Sequence, residues 1–223
     1  MSDFVHLHNH SEYSLLDGTV RIENLVQKAK EEDMPAVALT DHGVMFGAIK
    51  FYQEAKKQGI KPIIGCELYV AEDHQQKDAR NKENYHLLLL AEDNEGYRNL
   101  LKLVSTAYLD GFYYKPRVDK ELLREHSQGL IALSSCLAGK IEKLIQNRQF
   151  DKAKAEVEDY RDIFGSDNFF LELQDHGLKE EKEVNNELVR LSRECDIPLV
   201  ATNDTHYLKE DDAQAHDILL CIQ

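Results

Sequence analysis

No apolar run in the chain approaches the roughly 20 residues that a helix needs to cross a bilayer, so no membrane span is expected. The opening residues, MSDFVHLHN, lack the basic flank and apolar stretch of a secretory signal. The cytoplasm is therefore the expected compartment. Cysteine is scarce: Cys66, Cys136, Cys195 and Cys221 stand far apart and form no CxxC pair, which argues against a disulfide framework and a zinc ribbon. A cysteine that binds metal here must act alone among histidines and carboxylates. Positive charge is also short. Lys and Arg number 27 against 41 Asp and Glu, a formal charge of −14, and such a surface repels a phosphate backbone. Bound cations, a local basic strip or another domain would have to hold a phosphate ester. Internal repeats and low-complexity tracts are absent.

What is present is ordinary for a soluble globular protein, with 42% hydrophobic and 30% charged residues. A length of 223 residues suits one large domain over 1–223 better than two. Val5 and Leu7 interleave with His6, His8 and His10, the period of two that marks a strand with one apolar and one polar face. Further strands are expected over 36–39, 61–70, 85–91, 129–135, 169–173 and 199–202. Helical spacing covers 21–33, 47–57, 95–108 (with Asp93 as N-cap), 120–125, 138–146, 151–163, 180–194 and 211–223. The stretch 72–83 is a polar surface loop, and 110–117, DGFYYKPR, is a loop rich in aromatics and base. YHLLLLA at 85–91 reads as a parallel strand covered on both faces. Alternating strands and helices predict an α/β fold with a parallel sheet, and seven such units suggest closure into a barrel. In parallel barrels the loops after the strands converge, so active sites gather at the strands' C-terminal ends.

Chemistry-bearing residues fall mostly at those ends. Histidines two apart on one strand face lie roughly 6.5 to 7 Å from each other, close enough to share a cation at Zn–N distances of about 2.0–2.1 Å. Ser11 can support the end of that strand by hydrogen bonding, and Asp17 offers a carboxylate where the chain turns at Gly18. His8, His10, Asp17, His42, Glu67, His86, Cys136, Asp204 and His206 together supply five imidazoles, three carboxylates and one thiol. Zinc commonly takes four ligands, so nine groups suit two or three ions that share a bridging carboxylate. Clusters of that kind suit phosphoester hydrolysis, because the ions activate water, orient the phosphate and neutralise the leaving oxygen.

In order along the chain, HLHNHSEYSLLDG, LTDHG, GCE, YHLLLLA, SSC and ATNDTHY resemble the motifs of the polymerase and histidinol phosphatase (PHP) domain. The similarity is greatest to the form carried at the amino terminus of bacterial replicative DNA polymerase III alpha subunits, and it extends over essentially the whole chain. It implies a distorted, TIM-like (β/α)7 barrel with a trinuclear metal centre. One ion would be held by His8, His10, Glu67 and Asp204, a second by Asp17, His42 and His206, and a third by Glu67, His86 and Cys136, with Glu67 bridging. Asp17 and Cys136 stand where many phosphatase relatives have histidine. A thiolate there favours zinc over magnesium, with manganese or iron open at the other positions.

The resemblance also implies an activity and partners. The leading expectation is metal-dependent 3′–5′ exonuclease proofreading on the 3′ end of DNA. The rivals are a structural module that braces a polymerase and binds a proofreading subunit, and a phosphomonoesterase of the histidinol phosphatase kind. Such subunits run far beyond this length, so the end at HDILLCIQ, without a helix cap, is expected to mark an excised or designed amino-terminal domain. No nucleotidyl transfer is expected from it. Arg80, Lys115 and Arg117 sit in loops that could reach phosphates, Tyr113 or Tyr114 could stack a base, and His176 could serve on the substrate side or structurally. His6 is expected to pack or hydrogen bond. Asp41 is expected to orient His42 or to cap the following helix.

Overall fold

The computed structural model describes residues 4–78 and 83–222. Arg80 lies outside the described residues. Seven strands, β1 (Ala36–Leu39), β2 (Lys61–Val70), β3 (Tyr85–Ala91), β4 (Arg117–Val118), β5 (Leu130–Leu133), β6 (Phe169–Leu173) and β7 (Leu199–Ala201), form one curled sheet. Its main path is β1-β2-β3-β5-β6-β7, and β4 joins the far end of β2. Helices α1 (Ile22–Glu31), α2 (Ala48–Gln58), α3 (Asn94–Leu109), α4 (Lys120–Glu125), α5 (Lys140–Gln146), α6 (Phe150–Phe164), α7 (Lys179–Cys195) and α8 (Ala213–Leu220) complete the order. The helices follow their apolar spacing. In α1, Ile22, Leu25, Val26 and Ala29 are buried, the stripe that faces a core. Asp93 caps α3 as its sequence position predicts, accepting from the amides of Glu95 and Gly96 at 2.8 and 2.9 Å. That helix start lies so close to the turn before β5 that a Cβ on Gly96 would fall 1.7 Å from the carbonyl oxygen of Gly129, so glycine is required there.

Two strand pairings depart from the all-parallel expectation. Strand β3 runs antiparallel to both β2 and β5; the described residues between β2 and β3 include no helix, and without a crossover a chain returns as a hairpin. The run of leucines in YHLLLLA reports burial on both faces, not strand direction: Leu87, Leu88, Leu89 and Leu90 are all buried. The reversal also explains why His86 sits at the start of its strand. It pairs with Tyr69 near the end of β2, so the amino end of β3 reaches the rim where β2 finishes.

The amino-terminal segment is extended, but it forms isolated bridges rather than a full ladder. Its backbone is nevertheless tied on both sides. Ala38 and Thr40 donate to the carbonyls of His6 and Asn9, while His10 donates to Thr205 and Thr205 to His8, at 2.8–3.1 Å. It therefore spans the gap between β1 and the segment after β7, and brings His8 and His10 to the mouth of the half-barrel.

Beside that mouth, α5 turns Glu142 inward, where it is 1% exposed. The Ser134 hydroxyl donates to one oxygen at 2.6 Å, and the other has no partner. Burial pushes this carboxyl well above the usual carboxylate range. It holds its proton to higher pH than in the unfolded chain, which ionises above about pH 4.3, so stability falls as pH rises from there toward the raised folded value. Glu142→Gln is expected to raise the melting temperature, with a gain that grows from pH 5 to pH 8. A gain independent of pH, measured by thermal unfolding, would contradict a neutral Glu142.

Candidate metal centre

Each candidate ligand is delivered by a backbone contact between neighbouring segments. Glu67 accepts and donates across the sheet edge to the loop after β1: its amide donates to Asp41 at 3.1 Å, and its carbonyl accepts from Gly43 at 2.8 Å. This sets His42 beside it. The amide of His86 donates to Ala138 at 3.1 Å, which brings the Cys136 loop alongside. Asp204 and His206 follow β7, held by the bridge of Asn9 to Thr205. Ser135 and Asp204 adopt left-handed backbone conformations, with φ of 77° and 45°, a strain that surrounding structure must impose on non-glycine residues.

The side chains converge on Glu67, itself 1% exposed. Its Oε1 lies 3.3 Å from His8 Nε2 and 3.1 Å from His86 Nδ1, and it accepts from the Ser135 hydroxyl. Its Oε2 lies 2.6 Å from His42 Nδ1 and 3.6 Å from His10 Nε2. Asp204 Oδ1 stands 3.1 and 3.0 Å from the Nε2 atoms of His8 and His10. Asp17 Oδ2 is 2.7 Å from His42 Nε2 and 3.5 Å from His206 Nε2. The ring of His10 stacks against those of His42 and His206, at 4.0 and 4.3 Å. Cys136 Sγ is 3.7 Å from His86 Nδ1. All nine residues expected from the sequence are thus gathered at one end of the half-barrel.

Three compact groups of ligand atoms result: His8, His10 and Asp204; His10, His42 and His206; and His42, Glu67 and His86. They overlap with the three sets implied by resemblance but share histidines differently, and Cys136 stands outside them. A further group, Asp73, His74 and Asp119, lies elsewhere. There Asp119 already accepts from His74 Nδ1 at 2.5 Å and caps α4 through the Leu122 amide.

Whether these groups suit cations can be tested on their unsatisfied atoms. His42 Nδ1, Glu67 Oε2 and Asp204 Oδ1 are buried and lack a partner with hydrogen-bond geometry, although each lies near another donor atom. Buried polar atoms are otherwise almost always satisfied. Three orphans converging in one centre fit a set of donors shaped around cations.

Electrostatics agree. Burial opposes charge on His8, yet the carboxylates of Asp204, Glu172 and Glu67 raise it well above an ordinary imidazole. Burial likewise opposes charge on His42, but Glu67 and Asp17 lift it to about 10. Burial and the neighbouring His42 lower His10 to about 3. Against the cost of burial, His86, His8 and His42 hold Glu67 well below the carboxylate range, and His206 and His42 do the same for Asp17. The carboxylates thus hold charge on His8 and His42, while His10 is kept neutral.

Behind the ligands lies a supporting layer in which Ser11 and Asp41, expected from the sequence, are joined by Glu172 and Ser14, which were not. Glu172, 2% exposed in the middle of FFLEL, accepts from His8 Nδ1 at 2.7 Å and from Gln174, Thr202 and the Ser135 amide. That bond leaves His8 Nε2 facing the centre. Ser14 links His10 Nδ1, at 3.2 Å, to Asp41 and to the His42 amide. Asp41 neither touches the His42 ring nor caps a helix; it clamps the loop through the Ser11 amide and the hydroxyls of Ser11 and Ser14. A lone carboxylate in an apolar strand was the available signal for Glu172.

The expected substrate contacts fare unevenly. Arg117 is fully buried and donates to the carbonyls of Gly111, His74 and Gln76; its assignment as a phosphate contact is corrected. Lys115 is exposed beside the centre, its ammonium 5.2 Å from the Tyr69 ring. His176 bridges Glu181 and the Asn203 carbonyl, both at 2.6 Å, and so braces the loop that carries Asp204. His6 turns away from His8 and His10. It meets Phe4 edge-on and lines a separate cavity of about 390 Å³ against α1.

Comparison with known proteins matches this geometry. The PHP domain family matches residues 6–176. The chain is 53% identical over 99% of its length to the DNA polymerase III subunit alpha of Borreliella burgdorferi, and 50% identical over 99% to that of Thermus aquaticus. It spans about a fifth of those relatives, 19% and 18% of their lengths. Among solved structures, a protein from Bifidobacterium adolescentis provisionally classed as a metal-dependent phosphoesterase superposes with a TM-score of 0.56. The identity is 14%, and 96% of each chain is covered. An amidohydrolase from Chromobacterium violaceum, solved with sulfate and without metal, gives the same values. At that identity these structures speak for the fold, a curled half-barrel akin to a distorted TIM-like barrel. Family match, fold and gathered ligands agree: the chain belongs to the PHP domain family.

Proposed function

We propose that this chain is a metal-dependent phosphodiesterase that hydrolyses DNA from its 3′ end. In this reading residues 1–223 are a single PHP domain that works in the cytoplasm beside the remaining domains of a replicative polymerase subunit. The observation that carries it is Glu67, a buried carboxylate within 3.6 Å of four imidazoles. His8, His10, Glu67 and Asp204 would hold one divalent ion, Asp17, His42 and His206 a second, and Glu67, His86 and Cys136 a third. Burial and the carboxylates of Glu67 and Asp204 push the Cys136 thiol well up, so it ligates only where a cation displaces its proton, which favours zinc at that position and leaves manganese or iron for the others. When bound, such ions supply activated water and charge neutralisation for an in-line displacement at phosphorus. The chain's own part is positional. Glu172 fixes the His8 ring, Ser14 orients His10, and Asp41 locks the loop between them, so that ligand nitrogens meet the ions without reorganisation.

Similarity to polymerase subunits supports DNA over a small monoester. The charge of −14 favours a second reading, a structural module that braces the polymerase and receives a proofreading subunit. Elemental analysis, with hydrolysis of a 3′-labelled oligonucleotide in the same preparation, separates them. Two or three ions per chain with 3′–5′ hydrolysis are expected, and Asp204→Asn should lower hydrolysis by roughly 100-fold through its two imidazole contacts. Bound metal without hydrolysis would support the structural module, and preference for a phosphomonoester would support the histidinol phosphatase kind.

A further inference from the structure

The loop Gly111–Pro116 is built onto the centre. Pro116 is buried against Gly43, next to His42: a Cβ on Gly43 would fall 2.8 Å from Pro116 Cγ and 3.2 Å from the Tyr69 ring. Tyr69 in turn lies 6.1 Å from the His42 ring and 5.2 Å from that of His86. Over the Tyr69 ring stands the Lys115 ammonium, 5.2 Å away. Ligand imidazoles, Tyr69 and Lys115 thus form a continuous succession. The Tyr113 amide donates to the Lys115 carbonyl at 3.1 Å and closes a tight turn with Tyr114 at its apex. Tyr114 has φ of 61° and is 76% exposed, an unusual conformation for a bulky residue. Tyr113 meets Tyr114 edge-on at 4.7 Å and faces the buried Arg117 guanidinium at 5.2 Å. Arg117 holds the Gly111 carbonyl from beneath. Phe112, 48% exposed, stacks on Tyr108. Exposed aromatics beside a cation are the chemistry that grips single-stranded nucleic acid, bases on rings and phosphate on ammonium. Among the described residues Lys115 makes no ion pair, in a chain with excess acid, so its charge is available to an anionic ligand.

We propose that this turn is the subsite for the terminal nucleotide of a single-stranded substrate, with Tyr114 stacking on the base and Lys115 pairing with the adjoining phosphate. The inference rests on the phosphodiesterase reading above and adds the residues that distinguish a nucleotide from a bare phosphate ester. The test is fluorescence anisotropy of the full chain, loaded with zinc at low salt. The probe is a short oligothymidylate whose last linkage is a phosphorothioate, compared with the same oligomer ending in an abasic residue. The base-bearing probe should bind about tenfold more tightly, within the roughly 5- to 150-fold range of one stacked base. Tyr114→Ala should erase that advantage without further weakening the abasic probe, and Tyr114→Phe should preserve it. Lys115→Gln should weaken both probes alike and lower the slope of log affinity on log salt by about one. Equal loss of both probes in Tyr114→Ala, an unchanged salt slope in Lys115→Gln, or no binding of either probe would overturn the subsite and leave the turn as a surface for a protein partner. Binding with the expected pattern but without hydrolysis of an unmodified oligomer would sustain the subsite and defeat the exonuclease reading.

Discussion

Glu67→Gln protein is expected to fold normally, to retain at most one divalent ion and to hydrolyse a 3′-labelled oligonucleotide at least about a thousandfold more slowly than wild type. The argument is one of charge. Glu67 sits at the centre, touching His8 and His86 through one oxygen and His42 and His10 through the other. Two or three divalent ions held this close would repel one another strongly without an anion among them, and Glu67 is the buried carboxylate that would supply that charge. Glutamine keeps the shape and the Ser135 contact but removes that anion. Metal-ion catalysis contributes several kcal/mol of transition-state stabilisation, and about 4 kcal/mol is a factor of about a thousand. Circular dichroism should match wild type, and elemental analysis should show the missing ions. A fully loaded, active Glu67→Gln protein would remove Glu67 from the centre of the mechanism.

Much of this could be read in advance because the ligands are punctuation at the ends of apolar segments. Ala36–Leu39 runs directly into Thr40, Asp41 and His42, and Leu199–Ala201 into Asn203, Asp204 and His206. A local pattern records both the strand and the place where it stops. What a local pattern does not record is direction. Tyr85–Ala91 has the same leucines whether it runs parallel or antiparallel, and its direction is set by its pairing with β2 and β5. Nor does sequence show which polar atoms burial will pair. Arg117 follows a basic, aromatic loop, yet three backbone carbonyls, those of Gly111, His74 and Gln76, take up its guanidinium. Glu172 was read as part of a strand because its neighbours are Leu171 and Leu173; its role depends on His8, 164 positions away. His6 shared the alternation of His8 and His10, but the segment is pinned at His6, His8, Asn9 and His10 by different neighbours, so the alternation does not keep all three rings on one face.

Removing bound ions with a chelator is expected to lower the melting temperature by about 5–10 °C for each ion previously held at a hundredfold its Kd. Such binding contributes about 2.7 kcal/mol, and a protein of this size shifts by about 2–4 °C per kcal/mol. The loss should deepen with pH, and its sign follows from the centre. In stripped protein, His8 and His42 are raised above the ordinary imidazole value of about 6.5 by facing carboxylates, despite their burial, His42 to about 10. Their stabilising charge is complete below pH 6.5 and drains away as pH climbs toward 10. The depressed carboxylates of Glu67, Asp17 and Asp204 act at the other end, contributing above about pH 4.3 and failing as pH falls through their lowered values. His10, lowered to about 3, is neutral throughout the upper range. Bound ions reverse the dependence on the imidazoles, since they require deprotonated nitrogens and bind more tightly as protons leave. Between pH 6 and 9 the stripped protein should therefore lose stability while the loaded protein holds or gains it. Thermal unfolding of both forms across that range tests the point, and parallel curves would mean that the histidines are not what the ions bind.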